Sequence, residues 1–202
     1  MFSVNVKTCL RTFFLLLAFL AKDGFAGELH NLATNLINQQ RSRHGLSALT
    51  QNSKLQTAAQ SHAEWMAKTG KMVHAQDHDK PRNYAHHKTC DWIHINRIIK
   101  AGYFDYDDCF HAKHLPDGIV ADSVPDVDDM SGEIIAAGWG AGSMNYAKQL
   151  QQHVVPGWMK SPGHKKEILT ANYEELGVGY AVGAKGSFWC VTFGDPIKSE
   201  GN

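Results

Sequence analysis

The 202-residue chain lacks long apolar runs, an excess of positive charge and a strongly biased composition. Its apolar run of residues 13–21 is short, since a helix that crosses a membrane needs about 20 residues. Lysine plus arginine equals aspartate plus glutamate at 20 each, so nothing favours a nucleic-acid partner. With 43% hydrophobic residues, 18 glycines and 6 prolines, a disordered, low-complexity or collagen-like chain is excluded. Histidine is abundant instead, with 12 residues.

The short apolar run has the features of a secretory signal. Lys7 and Arg11 precede it, and the small residues of Gly24-Phe25-Ala26 follow it. We predict a signal peptide over residues 1–26, cut after Ala26, and the alternative is an uncleaved anchor. The mature protein, residues 27–202, is then a single domain with a net charge of −2 and no stable membrane span. Its predicted location is secreted or periplasmic.

The cysteines are few, and export allows them to form disulfides. Cys9 leaves with the signal peptide. Cys90 and Cys109 bracket one segment and are the predicted disulfide. Cys190 lies in a strand-like run, Trp189-Cys190-Val191, and is predicted to be a buried thiol. The sequence has no C-x-x-C, so it does not support a cysteine zinc site.

Hydrophobic periodicity predicts an α+β fold of one domain. Helices are expected over residues 28–43, from Asn52-Ser53 to Gly70, over a short stretch that ends at Gly102, and from Ser143 to an interruption at Pro156-Gly157. A last helix begins at Pro162, with Ser161 as its N-cap. Strands are expected over 133–138, 174–182 and 187–194, and the last two form a hairpin in an antiparallel sheet.

An acidic, histidine-rich segment spans about residues 76–130. It has eleven aspartates against six lysines and arginines, a net −5. We interpret it as an insertion on a compact body, and two roles remain open: a second metal site or pH-sensitive lid, or a solvated loop pair closed by Cys90–Cys109. Half of the histidines lie here: His78, His86, His87, His94, His111 and His114.

Three residues at the ends of elements are the candidate site, because such positions converge on clefts. His74 follows a helix, Glu133 begins a strand and His164 lies in the first turn of a helix. The partial positive charge of that turn favours a neutral His164 ring, the form that ligates a metal. His62 lies on an apolar helix face, where a hydrogen-bonded core role is favoured over a ligand. The sequence has no H-E-x-x-H, G-x-S-x-G or dinucleotide motif.

Several motifs together resemble the CAP superfamily of cysteine-rich secretory, antigen 5 and pathogenesis-related proteins, in its compact bacterial form. The resemblance covers roughly residues 30–195 apart from the acidic loops. It is carried by Leu36-Ile37-Asn38-Gln39-Gln40-Arg41, His62-Ala63 through His74, Arg97-Ile98, Ala101-Gly102-Tyr103, Gly132-Glu133-Ile134-Ile135, Trp158-Met159-Lys160-Ser161-Pro162-Gly163-His164, Leu176-Gly177-Val178-Gly179-Tyr180 and Phe188-Trp189-Cys190-Val191-Thr192-Phe193-Gly194.

The resemblance implies a three-layer α-β-α sandwich with a central antiparallel sheet. It also implies a cleft in which His74 and His164 hold zinc or another divalent cation, with Glu133 adjacent; no further cofactor is implied. Two positions depart from the family pattern: Ile134 replaces the asparagine usual after the glutamate, and Ser161 stands where some eukaryotic members have a second glutamate.

The sequence leaves three functions open. The first is an exported module that binds a metal and a peptide, lipid or glycan ligand. The second is a metal-dependent hydrolase of peptides or cell-wall material, with Glu133 as the candidate general base. The third is a structural or adhesive surface protein with a vestigial site. Fold analogy does not choose among them, and the sequence favours binding over catalysis.

Overall fold

The structure is a computed structural model that describes residues 27–74, 76, 93–104, 130–139 and 145–196. The predicted signal peptide, both cysteines of the predicted disulfide and five of the six histidines of the insertion lie outside these residues. Helix α1 covers residues 27–43. The elements that follow are β1 (Thr50–Gln51), α2 (Ser53–Thr69), α3 (Ile93–Lys100), β2 (Ser131–Trp139), α4 (Tyr146–Gln149), a π-helical turn (Leu150–Val154), α5 (Val155–Lys160), α6 (Pro162–Ile168), β3 (Glu175–Gly183) and β4 (Gly186–Gly194).

The four described strands form one sheet in the order β1-β3-β4-β2. The hairpin of β3 and β4 is antiparallel, and β2 pairs antiparallel with the other side of β4, so that Glu133 lies opposite Thr192. The two residues of β1 add a short parallel pairing to β3. The predicted α+β fold is confirmed, and the sheet is mixed only because of β1.

Helices cover both faces of the sheet, so the predicted three-layer arrangement is confirmed. Side chains alternate along β4, because successive residues of a strand point to opposite faces. Trp189, Val191 and Phe193 pack in one core with residues of α1, α5 and α6. Phe188 and Cys190 pack on the other face against α2. The second face carries the candidate site.

Helix α2 is the element that fits closest to the sheet. Asn52 caps its first turn by accepting from the N–H of Lys54, and Gly70 ends it with a left-handed backbone, as predicted. Glycines on β3 allow the helix to approach, since a Cβ at Gly177 would collide with the backbone of Leu55. The position of α2 therefore depends on the absence of a side chain on β3.

Two glutamines of α2 also occupy the outer edge of β3. The side-chain amide of Gln60 donates to the carbonyl of Tyr180 at 3.1 Å and accepts from the N–H of the same residue at 3.1 Å. Gln56 makes the same pair of bonds with Val178. β1 pairs with β3 only at Glu175 and Leu176, and the two glutamine amides take up backbone groups farther along the same edge. This protects the edge of β3 from pairing with another chain.

Two local predictions need correction. The helix expected to stop at Pro156 continues, because a π-helical turn comes directly before α5 and Pro156 is accommodated at the start of α5. Ser161 stands at the N-cap position of α6, but its side chain makes no capping hydrogen bond. Helix α3 lies inside the predicted insertion, and its apolar side is buried as expected, with Ile95 and Ile98 packed against Leu55.

No helix within the described residues is long and apolar enough to cross a membrane.

Candidate functional site

Glu133 is the centre of the candidate site. It is the third residue of β2, and its side chain is 1% exposed on the sheet face that α2 and α3 cover. The alternation of the strand directs the next side chain, Ile134, into the core on the opposite face, where it is fully buried. The isoleucine that replaces the family's asparagine is therefore a core residue here.

His74 contacts Glu133 directly. It follows α2 by five residues, in a segment, 71–74, that is neither helix nor strand. Its ring Nδ1 lies 2.9 Å from Oε1 of Glu133, so the ionised carboxylate accepts the Nδ1 proton. The His74 side chain is 48% exposed, in contrast to the buried carboxylate. The ring is thus held at Nδ1 while about half of the side chain is exposed to solvent.

Arg97 of α3 completes the hydrogen bonds of the carboxylate. Its Nη2 donates to Oε2 of Glu133 at 2.5 Å, and its Nη1 donates to the backbone carbonyl of His74 at 3.1 Å. Sequence reasoning did not place Arg97 in the site. The available signal was a cation beside Ile98 on the apolar face of a short helix, where burial of a charge implies a partner.

His62 of α2 lies behind this pair and is fully buried. Its Nδ1 is 2.9 Å from Nε2 of Gln76, its Nε2 is 3.8 Å from Oε1 of Glu133, and its ring stacks on Trp65. The predicted hydrogen-bonded core role is confirmed. The structure adds that His62 is a neighbour of the carboxylate, which its position on an apolar helix face did not reveal.

Cys190 is a buried free thiol, as predicted, and it also belongs to this cluster. Its Sγ donates to Oε2 of Glu133 across a 3.5 Å separation. Burial first, and then the negative charge of Glu133, raise the pKa of the thiol well above its usual value. A protonated thiol of this kind is unreactive as a nucleophile.

These contacts set the charge states of the cluster. Burial alone would raise the pKa of Glu133, but the hydrogen bond from His74 and the charge of Arg97 outweigh it and lower the pKa to about 2. Burial lowers the pKa of His62 to about 4, against the attraction of Glu133. At neutral pH the site therefore holds an ionised Glu133, a charged Arg97 and a neutral His62.

His164 lies in the first turn of α6, as predicted, and is partly buried. Its pKa is lowered, chiefly by burial and further by the charge of His74. The predicted neutral ring agrees with this direction, although the causes are burial and His74. The structure thus brings His74 into contact with Glu133 and places His164 within electrostatic reach of His74.

His94 is the member of the histidine-rich insertion that the structure describes. It lies on α3, and its Nε2 is 3.4 Å from Oγ of Ser131 at the start of β2. Burial lowers its pKa, and the charge of Glu133 opposes that shift. His94 therefore belongs to the surroundings of Glu133.

The donor set limits how a metal ion could be held. Both oxygens of Glu133 are used by Arg97 and His74, and Nδ1 of His74 is used by Glu133. Among the described residues no group of three or more histidine, cysteine or acidic side chains is arranged to hold a metal. Nε2 of His74 takes no part in these bonds to Glu133 and Arg97.

A surface cavity of about 550 Å³ lies elsewhere. Its lining includes Ser47, Thr50, Tyr173, Glu174 and Asp195. None of His74, Glu133 and His164 lines it, and it offers no imidazole. It is therefore separate from the candidate site.

Comparison with known proteins identifies a family that matches most of the chain and a curated relative that matches a short part of it. The family model described as the cysteine-rich secretory protein family, CAP, matches residues 34–193. An uncharacterized protein of Bacillus subtilis (strain 168), YkwD, is 45% identical over 42 residues, which is 21% of this chain and 16% of that protein. The chain therefore matches only a small part of that relative's length.

Two solved structures share the fold. An extracellular protein of Bacillus anthracis containing an SCP domain is 21% identical, with a TM-score of 0.52, over 84% of this chain and 41% of that one. An outer surface protein of Borrelia burgdorferi is 17% identical, with a TM-score of 0.50, over 79% of this chain and 86% of that one.

Proposed function

Because this chain belongs to the CAP family of cysteine-rich secretory proteins, we propose that it is an exported binding protein. Its candidate site would bind a divalent metal ion, zinc first, together with a peptide, lipid or glycan ligand. Export is supported by the signal-like residues 1–26. It is also supported by the outer-surface and extracellular descriptions of the two proteins that share the fold.

The observation that carries the proposal is the hydrogen bond between Nδ1 of His74 and the buried carboxylate of Glu133. A carboxylate that accepts from one ring nitrogen fixes the tautomer and leaves the other nitrogen as a metal ligand. His164 supplies a second imidazole whose lowered pKa keeps it available as a ligand. An ion bound by both rings would offer open positions to an oxygen ligand.

Glu133 is better suited to orient His74 than to act as a general base. Its side chain is almost completely buried, both of its oxygens accept hydrogen bonds, and its pKa is lowered to about 2. Efficient general bases have pKa values near the working pH and reach the proton they remove. This geometry favours a binding protein over a metal-dependent hydrolase and gives no support of its own to an adhesive role.

Zinc titration by calorimetry tests the proposal. We expect His74→Ala and His164→Ala each to weaken zinc binding at least about tenfold, because each removes a ligand. His153→Ala is the matched control, since His153 is an exposed histidine on the π-helical turn, and it should bind zinc as the wild type does. Equal zinc binding by all four proteins would overturn the metal site.

The hydrolase alternative has its own test. Zinc-loaded protein is incubated with a panel of peptides and cell-wall fragments, and the products are measured by mass spectrometry. Turnover by the wild type would establish catalysis, and its loss in a Glu133→Gln variant that still binds zinc would assign Glu133 as the base. Zinc binding without turnover across the panel supports the binding protein.

A further inference from the structure

Two residues contact the proposed zinc ligand His74: Glu133 accepts from its ring, and Arg97 donates to its main-chain carbonyl. We propose that Arg97 is a positioning residue that holds His74 in the geometry needed to bind the ion, an inference that rests on the proposed function. The geometry that points to it is the division of one guanidinium between two groups. One group is the main chain of His74, and the other is the carboxylate that holds the His74 ring.

The two contacts restrain His74 at both of its ends. Nη1 of Arg97 anchors the carbonyl of His74, and Nη2 anchors the Glu133 carboxylate whose other oxygen accepts from the ring. The planar guanidinium keeps its two donors at a constant separation and orientation. The backbone and the ring of His74 are therefore held relative to each other through a single rigid group.

His74 needs this restraint because its own segment provides little. Residues 71–74 are exposed and have no regular secondary structure, and the preceding Met72 and Val73 are more than 40% exposed. Side chains that are exposed to this extent make too few packing contacts to fix the rotamer of His74. Hydrogen bonds to buried groups must then determine where the His74 ring points.

Arg97 itself stands on a rigid support. It lies on α3, between Ile95 and Ile98, which are fully buried with Leu55 of α2. Its own side chain is 5% exposed. A binding geometry that must be accurate is best held from a packed helix. This arrangement separates Arg97, inside the fold, from His74, which faces the solvent.

Arg41 offers a matched control for a purely structural role. It is also a buried arginine, but its donors go to the backbone carbonyls of Ser47, Ile168, Thr170 and Tyr173. Loss of stability should therefore follow substitution of either arginine. Only the substitution of Arg97 should change the orientation of the His74 ring.

The test compares Arg97→Lys, Arg97→Gln and Arg41→Lys in the mature protein. Zinc affinity is measured by calorimetry on the folded fraction, and the His74 ring is followed by ¹⁵N NMR in the absence of metal. In wild type we expect a proton on Nδ1 of His74. Both Arg97 variants should lose this preference and bind zinc at least about tenfold more weakly, as for other groups that orient a metal ligand. Arg41→Lys should change neither.

The outcomes separate this inference from the proposed function. Wild-type affinity and an unchanged His74 ring in folded Arg97→Gln would overturn the positioning role. If Arg97→Gln does not fold, Arg97→Lys keeps the charge but loses the fork, and the same two results decide. If the wild type binds no zinc, the proposed function fails, and the NMR comparison alone decides the role of Arg97. If both Arg97 variants keep the proton on Nδ1 of His74, the positioning role of Arg97 is overturned. If the variants lose that preference, the positioning role is supported.

Discussion

Two arginines are buried within the described part of this protein, and their surroundings differ. Arg41, at the end region of α1, is fully buried and donates only to backbone carbonyls. Arg97, on α3, donates to one carbonyl and to the ionised carboxylate of Glu133. A carbonyl does not change its charge, whereas Glu133 and the histidines around it do. The first arginine therefore joins backbone segments of the fold, and the second belongs to a cluster of titratable side chains around Glu133.

The hydrogen-bond partners of Arg41 explain how this guanidinium can be buried. Among the described residues its acceptors are backbone carbonyls and include no carboxylate. Ile168 is the last residue of α6 and Thr170 follows closely, so their carbonyls lie at the negative end of a helix. Burial still lowers the pKa of Arg41. Its value to the fold is geometric, because it joins α1, the loop at Ser47 and the segment that leads to β3.

The largest effect should come from Arg41. Arg41→Met leaves four carbonyls without their donor, and we expect a loss of about 4 kcal/mol in the free energy of unfolding. Urea denaturation monitored by circular dichroism measures it, with zinc affinity of the folded fraction expected to stay at the wild-type value. A loss below about 1 kcal/mol would show that water replaces the guanidinium and that Arg41 is not a structural clamp.

The next effect is on the pH dependence of stability. The pKa of His62 is about 4 in the folded protein and 6.5 in the unfolded chain, so below pH 6.5 the unfolded chain binds the proton first. Stability is full above pH 6.5 and should fall by up to about 1.4 kcal/mol per pH unit down to pH 4. Urea denaturation across this range measures the slope.

A matched pair of variants assigns that slope. His62→Gln should reduce it, with a remainder from other histidines of lowered pKa, such as His30 and His94. Arg41→Met should leave the slope unchanged, because none of the acceptors of Arg41 titrates. An undiminished slope in His62→Gln would remove His62 as its source.

A double-mutant cycle should separate the arginines more finely. Arg97→Met alone leaves Glu133 as a buried anion without its cation, so Glu133→Gln in the same chain should recover about 2 kcal/mol of the loss. Arg41→Met combined with Glu133→Gln should be additive to within about 0.5 kcal/mol. Equal coupling energies in the two cycles would mean that both arginines act through the same network.

The smallest effect should come from Cys190. Cys190→Ser keeps a donor toward Glu133 in nearly the same volume, and we expect stability to change by less than about 1 kcal/mol. Zinc affinity should not change, because the thiol faces the carboxylate from the buried side. A tenfold change in zinc affinity would show that the thiol belongs to the binding machinery.

Much of the fold could be predicted because its signals are local. The Asn52 cap, the Gly70 stop and the hairpin between β3 and β4 each depend on a few neighbouring residues. The Pro156 prediction was wrong because a π-helical turn shifts the register of the helix, and no residue type marks such a turn. The candidate site could be predicted only in part. The sequence positions of His74, Glu133 and His164 identified them as candidates, but they did not show which residues these side chains contact.

Arg97 and His62 show why the rest of the site was not predicted. They come from different helices, and they meet Glu133 from β2 only when α2 and α3 pack on the same face of the sheet. Each is unremarkable within its own helix, since apolar faces often carry one polar residue. Their shared partner is 36 or more residues away along the chain.

The sequence by itself determined the helices and strands through hydrophobic periodicity, and its motifs indicated the family, the layers that the family implies and three candidate site residues. The tertiary structure decided what those residues do. It buried Glu133 beside Arg97, so the carboxylate is ionised and bound at both oxygens, and it left His74 half exposed at the end of that chain of hydrogen bonds. Burial and charge pairing arise only when distant segments pack together, and here they leave the Glu133 carboxylate hydrogen-bonded to His74 and Arg97.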